Sequence, residues 1–401
     1  MAALAALEKE VADLKRVRVF NETVRTGVER VLASLPSPEN EKDTSTKARI
    51  LLLRSQATLL LPRVSREAEK DLNAALKLQP GSTTTWVELS ECLLRRNAFK
   101  EACDALDNAL RVNPAHTEAL CKYSQIQRNR CGEEGVTAEQ RKAYLEDAVA
   151  KARAAVGSNV DDADAWNTLA LSLLSKVTLE GMTFDGVRKA LAAMQQAERK
   201  CPEDPDVPYN KAVLESLLGH FGAAAMDYWK AHALDKDRLK GTRHLSEENA
   251  KVLLRAQSRM RTSSGIGKRD FQRIRTRIEQ AHKKYTQSTS AKVVGVLDIV
   301  TEPTMQPVTL LVSDGKGDFG LLLLHEVRPT CFKIGDVIAY PVTTPVETIT
   351  HNVVACPGVV EEPLKLTLNH AYPNPKGILV NGQPLPSSAH VPLQMSSRLF
   401  A

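Results

Sequence analysis

Pro80 and Pro114 stand 34 residues apart, and the residues ahead of each are spaced alike. Trp86, Leu89 and Leu93 precede Ala102, Leu106, Ala109 and Pro114, while Ala68, Leu72, Ala75 and Pro80 hold the same register one unit earlier. Trp166, Leu169 and Leu173, then Ala190, Met194, Ala197 and Pro202, give a later unit, and Ala224, Tyr228 and Ala231 a weaker last one. A chain with this period folds as stacked helical hairpins, because no single unit can bury its apolar face alone. The alanines mark where the two helices of a hairpin approach closely. The larger residues fill the gap between hairpins. The proline stops the second helix, since it lacks the N–H and crowds the preceding turn.

The spacing is that of the tetratricopeptide repeat, with Ser90 and Ala170 where that pattern usually has glycine. The array is irregular. In the third unit the small residues are Ala148, Ala152 and Ala155, which implies about 12 extra residues around 130–140. The fourth carries about 8 more near 176–186. Insertions of this kind usually map to turns at one edge of a solenoid. Ahead of the array, Leu4, Leu7, Val11, Leu14, Val17 and Val24 fall near helical spacing and read as an N-terminal cap, followed by a loop from Ser37 to Thr46.

From Ala291 the texture changes to short β-branched runs: 293–300, 308–312, 320–324 and 337–342, with further strands expected at 348–355, 364–368 and 377–380. Asp314-Gly315-Lys316-Gly317-Asp318 and Gly335-Asp336 supply turn chemistry between them. Five to seven strands in such a length suit a small barrel, with an OB-fold as the best candidate. The fold class is therefore α then β: a repeat solenoid followed by an OB-fold barrel. The expected divisions are a cap and loop over 1–48, the array over 49–250, a connector over 251–290 and the barrel over 291–401.

The net charge of +6 is unevenly placed. Residues 251–284 hold eleven basic side chains against Asp270 and Glu279, a local +9, so the rest of the chain sums to −3. Arg255 and Arg259, and Arg269, Arg273 and Arg277, recur every four residues, which predicts helix with a basic face broken at 263–267. Such a segment suits a polyanion held without sequence readout.

Several classes fall away. No apolar run approaches the roughly 18 residues of a membrane helix. Glu8, Lys9, Glu10 and Asp13 interrupt any signal-peptide core, so cytoplasmic residence, with a nuclear alternative, is expected. The seven cysteines form no CxxC and read as reduced thiols. HExxH, GxSxG and Walker A motifs are absent, and Gly265-Ile266-Gly267-Lys268 lacks the rest of a phosphate loop. The expectation is an adaptor with no enzymatic chemistry, metal or cofactor.

The order of parts resembles the tetratricopeptide repeat protein 5 family of stress-responsive activators. The similarity is carried by Pro205-Asp206 through Asn210-Lys211-Ala212, by the helix around Trp166, by Gly335-Asp336-Val337-Ile338-Ala339 and by Val380-Asn381-Gly382-Gln383-Pro384. That resemblance implies a factor that reads the N-terminal Met-Arg-Glu peptide of nascent tubulin at the ribosome exit tunnel. Reading then leads, through a recruited decay effector, to destruction of the tubulin mRNA. It also implies an alternative, a nuclear cofactor that scaffolds a histone acetyltransferase; the repeat array alone leaves another, a generic co-chaperone-like peptide binder. A Met-Arg-Glu reader needs an acid for the arginine, a base for the glutamate and amides for the backbone. Numbering by the repeat puts Asp206, Asn210 and Asn167 on the concave face, with Arg128 towards the end of the third unit's first helix, and Arg128 and Asp206 fall where the resemblance implies peptide-reading residues. The family's acid beyond the last repeat aligns with Lys240, and Asp237 is the nearest carboxylate. The connector residues implied in contact with ribosomal RNA are Arg255, Arg259, Lys268, Arg269, Arg273 and Arg277.

Overall fold

The structure is a computed structural model that describes residues 2–16, 21–62, 66–261, 267–286, 290–303, 305–354, 360 and 362–391. Val17 and the break at 263–266 lie outside the described residues. The chain divides into two compact units, 1–172 and 173–399. The boundary expected at 290 falls between a helix and a strand, whereas the one expected at 250 falls inside the helix Thr242–Arg261 and the units divide inside the helix Ala163–Glu180.

The first unit is all helical. Helices α1 (Ala2–Arg16) and α2 (Glu22–Ser34) form the cap and pack on α3. Their core joins Leu4, Val11, Leu14, Val24, Val28 and Val31 to Ile50 and Leu53 of α3. The hairpins are α3 (Thr44–Leu59) with α4 (Arg66–Leu78), α5 (Thr83–Leu94) with α6 (Phe99–Val112), and α7 (Thr117–Arg130) with α8 (Ala138–Ser158). The alanines of the repeat pattern lie inside them: Ala102, Ala109, Ala148, Ala152 and Ala155 are completely buried. A hydroxyl reinforces two of these close approaches, with Ser55 donating to the Ala68 carbonyl at 3.2 Å and Ser124 to that of Ala148 at 2.8 Å. The repeat tryptophans share one device. Trp86 Nε1 donates to Pro80 O and Trp166 Nε1 to Val160 O, both at 2.9 Å, so each indole clamps the turn that enters its helix.

The extra sequence is mostly helix and not edge loop. Helix α8 has 21 residues against 14 in α6, and α9 (Ala163–Glu180) and α10 (Phe184–Lys200) have 18 and 17. A capping box at Thr137 and Gln140 starts α8 early, because it satisfies two orphan amide groups in one step. The expectation of edge turns is corrected on this point.

In the second unit, α10 leads to α11 (Asp206–Leu217), α12 (Phe221–Leu234), α13 (Thr242–Arg261) and α14 (Lys268–Thr286). Among the described residues eight strands follow: β1 (Ala291–Ile299), β2 (Val308–Ser313), β3 (Phe319–Leu324), β4 (Val337–Pro341), β5 (Val346–Val353), β6 (Leu364–Ala371), β7 (Leu379–Val380) and β8 (Gln383–Pro384). They form one sheet in the order β5-β6-β3-β2-β1-β4-β7-β8, antiparallel except for β3 beside β6. One face of these strands encloses its own core of Val294, Val296, Leu310, Val312, Leu322 and Ile338, as in an OB-like domain. Among the described residues no ladder joins β5 to β8, so the barrel expected from the sequence is not closed by hydrogen bonds.

The other face packs on helices. Ala250, Leu253 and Ala256 of α13 and Ile274 and Ile278 of α14 share a core with Val293, Leu297, Leu311 and Leu321. Gly295 permits this contact, since a Cβ there would lie 2.3 Å from Ile274. The connector is therefore structural as well as basic.

Candidate functional site

Arg128 sits in the last turn of α7, a helix whose N-terminus is capped by His116 Nδ1 accepting from Ala119 N. Its side chain is buried, with 7% of the residue exposed. Among the described residues neither Nε nor Nη1 has a hydrogen-bond partner. Burial pulls its pKa down to about 10, opposed weakly by the thiols of Cys121 and Cys131. Its neighbours on α7 are served differently. Lys122 pairs with Glu91 at 2.9 Å, Gln127 donates to Asp147 at 2.5 Å, and Arg130 stacks on Tyr144 and donates to its hydroxyl at 2.8 Å. A buried guanidinium with idle N–H groups is costly, and an anion supplied from outside would remove the cost.

Asn167, half-buried on α9, belongs with Arg128 to the first unit; Asp206, Asn210 and Asp237 belong to the second. Asn210 lies one turn after Asp206 on α11 and is buried at 7% exposure. Asp206 opens that helix, where a carboxylate is favoured by the helix dipole, and its backbone N–H donates to Asp204 Oδ1 at 3.0 Å. Its carboxylate does not stand open. Arg238 grips it at two points: Nη1 donates to Oδ2 at 3.0 Å, and Nη2 lies 2.7 Å from Oδ1 as an ion-pair contact. The same guanidinium reaches Asp235 Oδ2 through Nε at 3.0 Å. Desolvation lowers the Arg238 pKa, but the two carboxylates outweigh it and hold it raised. Asp235 is held low, first by the Arg238 backbone N–H. Asp237 and Lys240 are exposed in the turn between α12 and α13.

Arg238 was not among the residues singled out in the sequence. Two signals pointed to it: Asp235-x-x-Arg238 at the end of α12, and a separation of 32 residues from Asp206, close to one repeat length. A side chain at that distance sits at nearly the same place on the next hairpin.

The six connector cations separate into two groups. Arg255 pairs with Glu302 at 2.5 Å and Arg259 with Asp298 at 2.7 Å. Arg277 donates to Gly335 O at 2.5 Å and to Asn381 Oδ1 at 2.7 Å. These three tie the helices to the sheet. Lys268, Arg269 and Arg273 are exposed on α14, with Arg273 only loosely near Asp270 at 3.5 Å.

A curated human protein is 29% identical over 192 residues, covering 47% of this chain and 43% of that protein, and the mouse counterpart matches equally. The matched half of this chain is similar to tetratricopeptide repeat protein 5. The bovine form is 27% identical over 191 residues. The alignment thus spans less than half the length of these relatives. No family profile matches the chain. Among solved structures, a thermophilic tetratricopeptide-repeat protein of Thermus thermophilus is 19% identical with a TM-score of 0.42, covering 50% of this chain and 98% of its own. YrrB, titled a repeat protein with an unusual peptide-binding site, is 20% identical with a TM-score of 0.34, covering 56% and 96%. Among the described residues no group of three or more His, Cys, Asp or Glu side chains could hold a metal ion.

Proposed function

We propose that this protein is an adaptor that reads the N-terminal Met-Arg-Glu peptide of nascent tubulin at the ribosome. In this reading it acts in the cytoplasm and recruits an effector that leads to decay of the tubulin mRNA. The observation that carries the reading is Arg128, a buried guanidinium on a repeat helix with Nε and Nη1 unpartnered. Such a group suits a ligand carboxylate, the third residue of the peptide. Asn167 and Asn210 supply amides of the kind that hold an extended backbone. Asp206 supplies the acid for the peptide's arginine. The similarity to tetratricopeptide repeat protein 5 supports the same assignment. For the ribosome, the exposed cations Lys268, Arg269 and Arg273 suit phosphate contact without base readout.

The test is direct binding of a Met-Arg-Glu-Ile peptide by calorimetry. Wild type should bind. Arg128→Gln should weaken binding of this peptide and leave a version with glutamine at position three almost unaffected. Absence of wild-type binding in the presence of an intact fold would end the reading.

A further inference from the structure

The Asp206 carboxylate already holds a guanidinium, and that guanidinium is the chain's own. The grip has the two-contact layout by which a carboxylate recognises a free arginine: Nη1 donates at 3.0 Å, and the buried Nη2 lies 2.7 Å away as an ion-pair contact outside hydrogen-bond geometry. Asp235 adds a third contact to Nε at 3.0 Å, so each nitrogen of the Arg238 guanidinium meets a carboxylate oxygen. The pair is only partly shielded, with side-chain exposures of 28% for Arg238 and 26% for Asp206, so solvent and an incoming ligand can reach it. Arg238 lies in the turn after α12, outside any helix, where a side chain can swing without unfolding an element. Its backbone N–H donates separately to Asp235 Oδ1 at 3.0 Å, so the turn keeps that anchor when the side chain leaves.

We propose that Arg238 is a built-in competitor: it occupies the arginine subsite at Asp206 and must be displaced by a ligand's guanidinium. This inference rests on the peptide-reading role assigned to Asp206 above. The exchange is like for like, one arginine for another. A ligand lysine offers a single ammonium and cannot reproduce the two-point grip, so the latch filters for arginine. The cost falls on affinity. Where the competent state is a minor fraction, apparent affinity drops by that fraction, and a latch closed about nine times in ten lowers it about tenfold. Opening the latch also releases Arg238 towards Asp235 alone, giving a local rearrangement that follows occupancy.

The experiment uses the full chain and two probes: a Met-Arg-Glu-Ile peptide and Nα-acetyl-arginine methylamide, each titrated by NMR into wild type, Arg238→Ala and Arg238→Lys. Thermal melts establish that each variant folds. The expected result is about tenfold tighter binding of both probes to Arg238→Ala, with Arg238→Lys intermediate, and reduced preference for arginine over lysine at position two. Equal or weaker binding of both probes to a folded Arg238→Ala overturns the latch. Blocked arginine binding better to Arg238→Ala while the peptide binds neither protein keeps the latch and removes the tubulin-peptide reading. Peptide binding equally to wild type and Arg238→Ala removes the latch and keeps the reading.

Discussion

His351 and His370 face each other on the adjacent strands β5 and β6 with their Nε2 atoms 3.0 Å apart. His351 Nδ1 accepts from the Gly222 N–H at 3.4 Å, which leaves its Nε2 as the donor to His370. The contact therefore needs both rings neutral. His325 is the third member of this buried set, with Nε2 against Leu217 O at 2.8 Å and the Phe184 ring 5.2 Å away. Burial pushes His325 and His351 down to about 4 and His370 to about 2, with repulsion added at His370 by His351 and then His220, and at His351 by His220. His220 itself is paired with Glu215 at 2.5 Å.

The sign of the pH dependence follows. A histidine whose folded pKa lies below its unfolded value near 6.5 takes up its proton in the unfolded chain first. Its stabilisation is whole above pH ~6.5 and is lost as pH falls through that value towards about 4. Each of the three contributes up to about 1.4 kcal/mol per pH unit in that window. Urea denaturation of the full chain at pH 7 and at pH 5 should show a lower midpoint at pH 5, and His325→Gln should make the profile shallower. A midpoint independent of pH over this range would refute the assignment of these rings as buried and neutral.

Gly219 turns the chain between α11 and α12 with φ +73°, and a Cβ there would lie 2.1 Å from Leu323 of β3. Both the backbone conformation and the space exclude a side chain. Gly219→Val should cost about 2–4 kcal/mol, read as a fall in melting temperature, because neither Leu323 nor the strand behind it can withdraw. A melt within about a degree of wild type would show that the turn and the strand are not in contact as described.

The two repeat tryptophans allow a smaller test. Trp86→Phe and Trp166→Phe each keep an aromatic ring and remove the N–H that clamps Pro80 O or Val160 O. Each should cost about 1 kcal/mol in a denaturant titration, the net worth of one hydrogen bond. If both positions are silent, the indole is there for its size alone.

The helical array was readable because its signal is local and repeated. Ala102, Leu106 and Ala109 show a close helix approach within a turn or two of sequence, and Trp86 and Trp166 repeat the pattern. The strands were equally plain, since alternation and Gly-Asp turns are short-range. Sheet closure was not, because pairing β3 with β6 depends on contacts between residues far apart in the chain, such as Gly320 with Asn369. The connector misled for a different reason. Its apolar stripe, Phe271, Ile274, Ile278, Ala281 and Tyr285, has helical spacing, but the eleven cations around it read more loudly and suggested only a basic face for a polyanion. Arg128 and Asp206 came from resemblance. Residue type alone could not say that one is buried without partners for two of its nitrogens while the other is gripped by Arg238.

The partition of the connector cations leads to the last prediction. Arg255, Arg259 and Arg277 are held by Glu302, Asp298, Gly335 and Asn381, so substituting them removes contacts to the sheet. Lys268, Arg269 and Arg273 project from α14 into solvent. If the α14 face neutralises ribosomal phosphates, the logarithm of affinity against the logarithm of salt should lose about 0.7–0.9 in slope for each cation removed. The triple variant Lys268→Gln, Arg269→Gln, Arg273→Gln should therefore flatten the salt dependence of ribosome cosedimentation by about two to three and leave the melting temperature near wild type. Arg255→Gln with Arg259→Gln should do the reverse, lowering stability while the salt slope stays close to wild type. An unchanged slope in the triple variant would remove α14 as the RNA-facing surface. A loss of slope in the double variant would mean that those two arginines leave their carboxylates for RNA.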